Sequence, residues 1–203
     1  MLIHRTLDEI FRTWSNIAVL RALLDTKTGA SGNEVARLSG MNPRSAFKAL
    51  TLLEELGLVN RQIGGRDHLF TLNRENYFIQ EAIIKLFEVE DNFRKEIVKS
   101  LETILKKRVY SAVIFGSTAR KEESVLSDLD ICCIVNSNMD KLFIRDSINK
   151  KSQLLKKKFG VKPSLVLFTK SEFYKKRKTQ LVRSIVSEAV LITGKNPRSL
   201  TNG

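Results

Sequence analysis

Two apolar runs with a short polar segment between them decide the fold of the second half of this chain. The first is Val113-Ile114-Phe115-Gly116-Ser117-Thr118-Ala119-Arg120, and the second is Ser127-Asp128-Leu129-Asp130-Ile131-Cys132-Cys133-Ile134-Val135. The pattern predicts a strand, a Gly-Ser turn and a second strand. Alternate side chains of a strand share one face, so the two aspartates are expected to lie about 6.6 Å apart along the backbone. Because neighbouring carboxylates repel, the pair predicts a divalent cation, and the turn predicts a phosphate contact through N–H groups and a hydroxyl.

The composition indicates a soluble intracellular protein with one large or two small domains, since the chain has 203 residues and is 42% hydrophobic. Cys132 and Cys133 are neighbours on an apolar strand and point to opposite faces, so we expect buried free thiols and a reducing, cytoplasmic setting. The first nine residues already carry His4, Arg5, Asp8 and Glu9, which argues against a secretion signal. No apolar run approaches the ~20 residues that span a bilayer, so no membrane partner is expected.

The net charge of +13 is concentrated at one end of the sequence. Residues 1–78 carry a net charge of +2, residues 79–150 are balanced, and residues 151–203 carry 13 Lys or Arg against 2 Asp or Glu. The basic clusters are Lys156-Lys157-Lys158 and Lys175-Lys176-Arg177-Lys178. They predict an RNA or another polyanion as partner of residues 151–203, with a solvated helix face as the alternative.

The first 78 residues are predicted to form helices followed by a hairpin. Apolar spacing predicts a helix over 7–24, a short helix over 34–39 capped by Asn33, and a helix over 43–56 with Asn42 as cap and Pro43 in its first turn. Two strand-like runs, 58–63 and 66–72, flank Gly64-Gly65 and predict the hairpin.

This order resembles the winged helix-turn-helix domains of bacterial and archaeal transcription regulators over roughly residues 7–75. The residues that carry the resemblance are Asn33-Glu34-Val35-Ala36, the run from Leu52 to Val59, Gly64-Gly65-Arg66 and Leu72. The resemblance implies that the helix at 43–56 enters the major groove of DNA and that the hairpin is a wing. The implied DNA-binding residues are Arg44, Ser45, Lys48, Arg61 and Arg66. The alternative is a winged helix that only binds protein or dimerises.

The rest of the chain is predicted to alternate helices and strands. The expected elements are a helix over 79–107, a strand over 110–115, a helix over 140–159 that ends at Gly160, a strand over 161–168, a helix over 171–191 and a frayed end from 196 to 203. We therefore predict a winged helix over 1–78 and a second domain over 79–203. The helix at 79–107 would connect the domains and pack on the second one or form a homodimer interface.

The string Gly116-Ser117-Thr118-Ala119-Arg120 with Ser127-Asp128-Leu129-Asp130 resembles the signature of the nucleotidyltransferase superfamily, most closely its minimal nucleotidyltransferase group. The resemblance implies that Asp128 and Asp130 are catalytic and bind Mg²⁺, with ATP or another NTP as substrate. It implies nucleotide binding by Gly116 and Ser117, which would hold the triphosphate, and by Ser127, while Arg120 would support the motif or contact phosphate.

Two positions depart from this signature. The family usually has glycine where this chain has Lys121, which would either line the pocket or mark a different turn. Active members also carry a third carboxylate on a later strand, but residues 161–168 contain no Asp or Glu, and Ser164 and Val166 stand where it is expected. Glu122, Glu123, Asp140 or Glu172 could substitute only if the fold brings one of them near the aspartates.

The predicted fold class is α+β, with an N-terminal winged helix followed by a small α/β nucleotidyltransferase domain that has a mixed sheet. The first functional hypothesis is Mg²⁺-dependent transfer of a nucleotide monophosphate from an NTP to a hydroxyl of a protein or nucleic acid. The second is a transcription regulator whose degenerate transferase domain only binds nucleotide. A third is an antitoxin-like or structural partner protein.

Overall fold

The computed structural model describes residues 3–64 and 67–201 and divides into two compact units, Met1–Asn92 and Phe93–Gly203. Each unit combines helices with a small β-sheet, so the α+β class predicted from the sequence is confirmed. None of the described helices is long and apolar enough to cross a membrane.

The described part of the first unit, up to Leu72, consists of four α-helices and a three-stranded antiparallel sheet. Its elements are α1 (Thr6–Ile10), α2 (Trp14–Leu24), β1 (Ala30–Ser31), α3 (Gly32–Leu38), α4 (Pro43–Glu55), β2 (Val59–Gly64) and β3 (Asp67–Leu72). The strand order is β1-β3-β2. The predicted hairpin is thereby confirmed, with Val59 opposite Leu72 and Gly64 opposite Asp67.

The prediction of one helix over 7–24 is wrong, because the helix is interrupted between α1 and α2. Thr13 is extended, with φ −135° and ψ 148°. The buried side chain of Asn16 donates a hydrogen bond of 3.0 Å to the carbonyl of Glu9. That bond supplements the long hydrogen bond of 3.4 Å that the same carbonyl, at the end of α1, accepts from the N–H of Arg12, so a polar side chain stabilises the break.

The helix caps of the first unit are partly as predicted. The side chain of Asn42 accepts a hydrogen bond of 2.9 Å from the backbone N–H of Ser45, which confirms the predicted cap of α4. At α3 the prediction of Asn33 as cap is wrong, since the hydroxyl of Ser31 accepts from the N–H of Glu34 at 3.2 Å. Helix α3 therefore begins at Gly32, two residues before the start that the apolar spacing indicates.

The predicted helix over 79–107 is a short π-helix (Ile79–Ile83) followed by α5 (Ile84–Leu105). Ile79, Ile83 and Phe87 belong to the hydrophobic core of the first unit. Farther along α5, Ile97, Leu101 and Leu105 belong to a core of the second unit.

The second unit is built on a four-stranded mixed sheet. Its elements after α5 are β4 (Ser111–Ile114), α6 (Gly116–Arg120), β5 (Leu129–Val135), α7 (Asn138–Phe159), β6 (Pro163–Thr169), α8 (Lys170–Lys175), α9 (Gln180–Glu188) and β7 (Val190–Gly194). The strand order is β6-β5-β4-β7, with β5 and β6 parallel and the other neighbours antiparallel. The predicted mixed sheet is confirmed.

Helices cover both faces of this sheet. Ile131 and Cys133 of β5 point into a core that includes side chains of α5 and α7. Cys132 and Ile134 point the other way, into a core with Phe173 of α8 and side chains of α9. Because β5 is buried on both faces, its sequence is an almost continuous apolar run.

The prediction of one helix over 171–191 is wrong. The side chain of Thr179 caps α9 by accepting from the N–H of Val182 at 3.4 Å, which separates α8 from α9. The last residues of the predicted helix, together with those that follow, form β7. This segment contains the β-branched residues Val190, Ile192 and Thr193 and pairs with β4. The predicted fraying is also wrong over 196–201, where Pro197–Leu200 is a 3₁₀ turn and Pro197 is buried.

Candidate nucleotide and metal site

The backbone of Gly116 lies directly against the carboxylate of Asp130. Gly116 has φ +72°, and a Cβ atom added there would lie 2.6 Å from Oδ2 of Asp130. The N–H of Phe115 also donates a hydrogen bond of 3.0 Å to the carbonyl of Asp130. The glycine is therefore required twice, for its left-handed backbone and for the absence of a side chain.

The two aspartates stand at the start of β5, as predicted. Asp128 directly precedes the strand and Asp130 is its second residue. Leu129 and Ile131 are buried in the core toward α5 and α7, so by strand alternation Asp130 lies on the opposite face, where it is half-buried. The side chain of Asp128 is 42% exposed and keeps access to solvent.

A lysine that sequence reasoning overlooked is paired with the first aspartate. Lys162 Nζ lies 3.3 Å from Oδ1 of Asp128, and the N–H of Leu129 donates a 2.8 Å hydrogen bond to the carbonyl of Lys162. The sequence does contain a signal for this pairing. Lys162 is two residues before Ser164, so in an extended strand both side chains lie on the same face.

Ser164 occupies the position beside Asp130, because the parallel register of β5 and β6 places these residues opposite each other. The strand neighbour of the second aspartate is thus a hydroxyl. Across the described residues, no group of three or more His, Cys, Asp or Glu is arranged to hold a metal ion.

Two of the acidic residues considered as substitutes lie beyond the opposite end of the strands, away from Asp128 and Asp130. Asp140 lies in the first turn of α7, which begins beyond Val135 at the far end of β5 and is capped by Ser137. Glu172 lies in the first turn of α8, after the far end of β6, in a capping box with Thr169. Asp130 and Val135 are roughly 16 Å apart along the strand. At that end of the strands, Asp140 is paired with Arg108 and Glu172 with Lys141.

The guanidinium of Arg120 joins two carboxylates. Nε lies 2.7 Å from Oε2 of Glu122, and one terminal nitrogen lies 2.9 Å from Oε2 of Glu188 on α9. The hydrogen bond to Glu122 and then that to Glu188 raise the pKa of Arg120, and Arg120 in turn lowers the pKa of Glu188. This pairing also occupies Glu122, so Arg120 connects α6 to α9.

The other residues of the two motifs lie in α6 and in the turns that follow it. Gly116 and Ser117 are the first two residues of α6. The hydroxyl of Ser127 accepts a 2.9 Å hydrogen bond from the N–H of Ser124 and so closes the turn before β5. Lys121 stands where the signature that the sequence resembles usually has glycine. Its backbone is left-handed, with φ 60°, which is the conformation that favours glycine.

The residues predicted to contact DNA fall into two groups. Arg44 and Lys48 are exposed on α4, and Ser45 and Lys48 line a shallow groove together with Arg12, which the sequence analysis did not single out. Arg61 instead contacts its own unit, 3.7 Å from Glu54 and 5.6 Å from the ring centre of Phe70. Arg66 lies outside the described residues.

The basic residues of the last quarter are mostly exposed. Lys156, Lys157 and Lys158 end α7, and their charges stabilise the helix carboxyl end. Two other basic residues of this quarter, Lys178 and Arg183, line an open groove along α9. Arg120 and Glu188 line the same groove.

Comparison with known families identifies the region that contains the site. Residues 94–192 match a family model described as "Nucleotidyltransferase domain", and this range includes both motifs. A search of curated proteins found no match.

Solved structures show only partial likeness to this chain. A toxin–antitoxin structure with AMP-PNP is 14% identical, with 52% of this chain and 79% of that chain covered and a TM-score of 0.33. TrmBL2, an archaeal chromatin protein, is 18% identical, covers 88% and 74%, and has a TM-score of 0.27. Human N-acetylserotonin methyltransferase with SAM is 8% identical at a TM-score of 0.32, over 47% of this chain and 30% of that one. The link to nucleotidyltransferases therefore rests on residues 94–192.

Proposed function

We propose that this protein transfers a nucleotide monophosphate from an NTP, ATP by family analogy, to a hydroxyl of a protein or nucleic acid. The observation that carries the proposal is the contact between the two motifs: the carboxylate of Asp130 lies against Gly116, where a Cβ would be 2.6 Å away, inside the region that matches the nucleotidyltransferase domain. A new ester bond forms between the acceptor oxygen and the α-phosphorus. The bond to the β-phosphate breaks, pyrophosphate leaves, and the acceptor proton passes to solvent.

Asp128 and Asp130 fit a magnesium ion. Carboxylate oxygens are the ligands that this hard cation prefers, both side chains have access to solvent, and the ammonium of Lys162 beside Asp128 indicates that the pair attracts positive charge. When bound, Mg²⁺ would neutralise negative charge on the phosphates of the nucleotide.

Three other residues would organise the nucleotide side of the site. Gly116 brings the backbone close to the carboxylate of Asp130, and Ser117 offers a hydroxyl at the start of α6 for the triphosphate. Arg120 would keep α6 in place through its ion pair with Glu188 on α9. We therefore assign Arg120 a positioning function rather than a phosphate contact.

The acceptor is proposed to be anionic. Lys178 and Arg183 line one open groove beside the ion pair of Arg120 with Glu188. The net charge of residues 151–203 is +11, from 13 basic and 2 acidic side chains. Such a surface raises the local concentration of a polyanion and accelerates its binding.

Labelling with ATP that carries ³²P on the α-phosphate tests the transfer. We expect a labelled acceptor in a cell extract with Mg²⁺ or Mn²⁺, and no label with Asp128→Asn or Asp130→Asn. Asp146→Asn is the matched control, because Asp146 is an exposed aspartate of α7 whose partner is Lys150. Wild-type protein that labels nothing and releases no pyrophosphate would refute the proposal.

A second candidate is a transcription regulator that only senses nucleotide. Two observations favour it: Ser164 stands beside Asp130 where a third carboxylate is expected, and the helices and hairpin of the first unit follow the order of a winged helix. Arg44 and Lys48, exposed on α4, would then contact DNA.

Selection of duplexes from a randomised pool tests this candidate. We expect Arg44→Ala to lower the affinity for a selected sequence by roughly tenfold or more, while Lys27→Ala, an exposed change in the loop after α2, keeps it. Binding that is equally strong for all sequences and collapses with salt would argue against a sequence-specific regulator.

A further inference from the structure

Lys162 and Ser164 form the second half of the candidate metal site. The parallel register pairs Leu129 with Pro163 and Asp130 with Ser164. The hydrogen bond from the N–H of Leu129 to the carbonyl of Lys162 extends this ladder by one step. Lys162 therefore stands beside Asp128 as Ser164 stands beside Asp130, all on one face of the sheet.

The ammonium of Lys162 is shared between both oxygens of the Asp128 carboxylate. Nζ lies 3.3 Å from Oδ1 and 3.5 Å from Oδ2. The two side chains are 74% and 42% exposed, so the pair adds little to folding stability. The pair instead affects the binding of other cations to Asp128, because any such cation must share the carboxylate with Lys162 or displace it.

The charge of the site decides how many divalent ions it can hold. Three carboxylates would carry a charge of −3, but Asp128, Asp130 and Lys162 together carry −1, and Ser164 adds none. Two divalent ions in close proximity repel each other, and sites of that kind depend on a surplus of negative ligands. Within the described residues, the two aspartates are not joined by a further His, Cys, Asp or Glu in an arrangement that could hold a metal ion.

We infer that Lys162 is a built-in counter-ion of the carboxylate pair and that the site accordingly takes one divalent cation with its nucleotide instead of two. The inference rests on the proposed nucleotide site. The ammonium weakens the binding of that single cation. A unit charge about 5 Å from a divalent ion, in water-like surroundings at physiological salt, lowers its affinity about fivefold.

Manganese binding measures both parts of the inference. The free Mn²⁺ signal in electron paramagnetic resonance gives the dissociation constant of the full chain without nucleotide. Lys162→Gln is expected to bind Mn²⁺ about fivefold more tightly than wild type. Lys195→Gln is the control, since Lys195 follows β7 at the opposite edge of the sheet, near Tyr110. Thermal unfolding of both variants checks that each is folded.

The number of ions is counted with a non-hydrolysable ATP analogue bound. Wild type is expected to hold one Mn²⁺ per nucleotide complex, and the double variant Lys162→Gln with Ser164→Asp is expected to hold two. Two ions in wild type, or an unchanged or weaker affinity in Lys162→Gln, would overturn the inference and leave the proposed site intact. No binding of Mn²⁺ or analogue by wild type would overturn the proposed function as well.

Discussion

Substitution of Gly116 by alanine should damage the site more than the fold. The added Cβ would lie 2.6 Å from Oδ2 of Asp130, whereas ordinary contacts begin near 3.4 Å, so the carboxylate must move by about 0.8 Å. The backbone at φ +72° adds a cost of about 1–2 kcal/mol for a residue with a side chain, offset by about 0.5–1 kcal/mol from the lower entropy of the unfolded chain.

Gly160→Ala is the matched control for this substitution. Gly160 has φ +71°, almost the same as Gly116, but an added Cβ there has nothing within 4 Å. We expect a loss of unfolding free energy of about 1 kcal/mol for Gly160→Ala and of about 2–3 kcal/mol for Gly116→Ala.

Two assays separate the loss of folding stability from the damage to the site. Urea denaturation gives the stability of each variant, and labelling with α-³²P-ATP gives the activity of the site. Gly116→Ala is expected to lose most of the labelling and Gly160→Ala to keep it. Equal destabilisation of the two variants, with full labelling in Gly116→Ala, would refute the argument that the approach of Asp130 requires a glycine.

Three further predictions concern backbone conformation, pH and thiol reactivity. Lys121→Gly, which relieves φ 60°, should raise the unfolding free energy in urea by up to about 1 kcal/mol, and a loss would refute the strain argument. Because Arg120 lowers the pKa of Glu188, the stability from this pair is present above the ordinary glutamate value and is lost as pH falls through the lowered pKa. The advantage of wild type over Glu188→Gln should therefore shrink on acidification toward pH 3, and a constant advantage would contradict this. Burial raises the pKa of Cys132 to about 12 and raises that of Cys133, so neither thiol should react with Ellman's reagent at pH 8 until guanidinium unfolds the chain.

The local features of this chain could be predicted because short-range rules govern them. The cap of α4 by Asn42 and the end of α7 at Gly160 follow from the preferences of single residues. The start of β5 at the aspartates follows from the change from a polar to an apolar run.

The elements that were missed depend on partners far along the chain. Asn16 breaks the first predicted helix through a hydrogen bond to Glu9, which helical periodicity does not reveal. The residues from Val190 onward form a strand because the exposed edge of β4 pairs with them, although their spacing also fits the end of a helix. Tertiary pairing prevailed over local periodicity in both places.

Sequence by itself determined the identity of the two motifs, the turn at Gly116 and the carboxylates of Asp128 and Asp130, because these residues are close in the chain and their chemistry is local. Only the tertiary structure decided what stands beside them. The register of β5 and β6 placed Lys162 and Ser164 next to the aspartates, and the packing of α9 supplied Glu188 to Arg120. Such neighbours are set by strand pairing and helix packing between distant segments, which no local pattern of residues encodes.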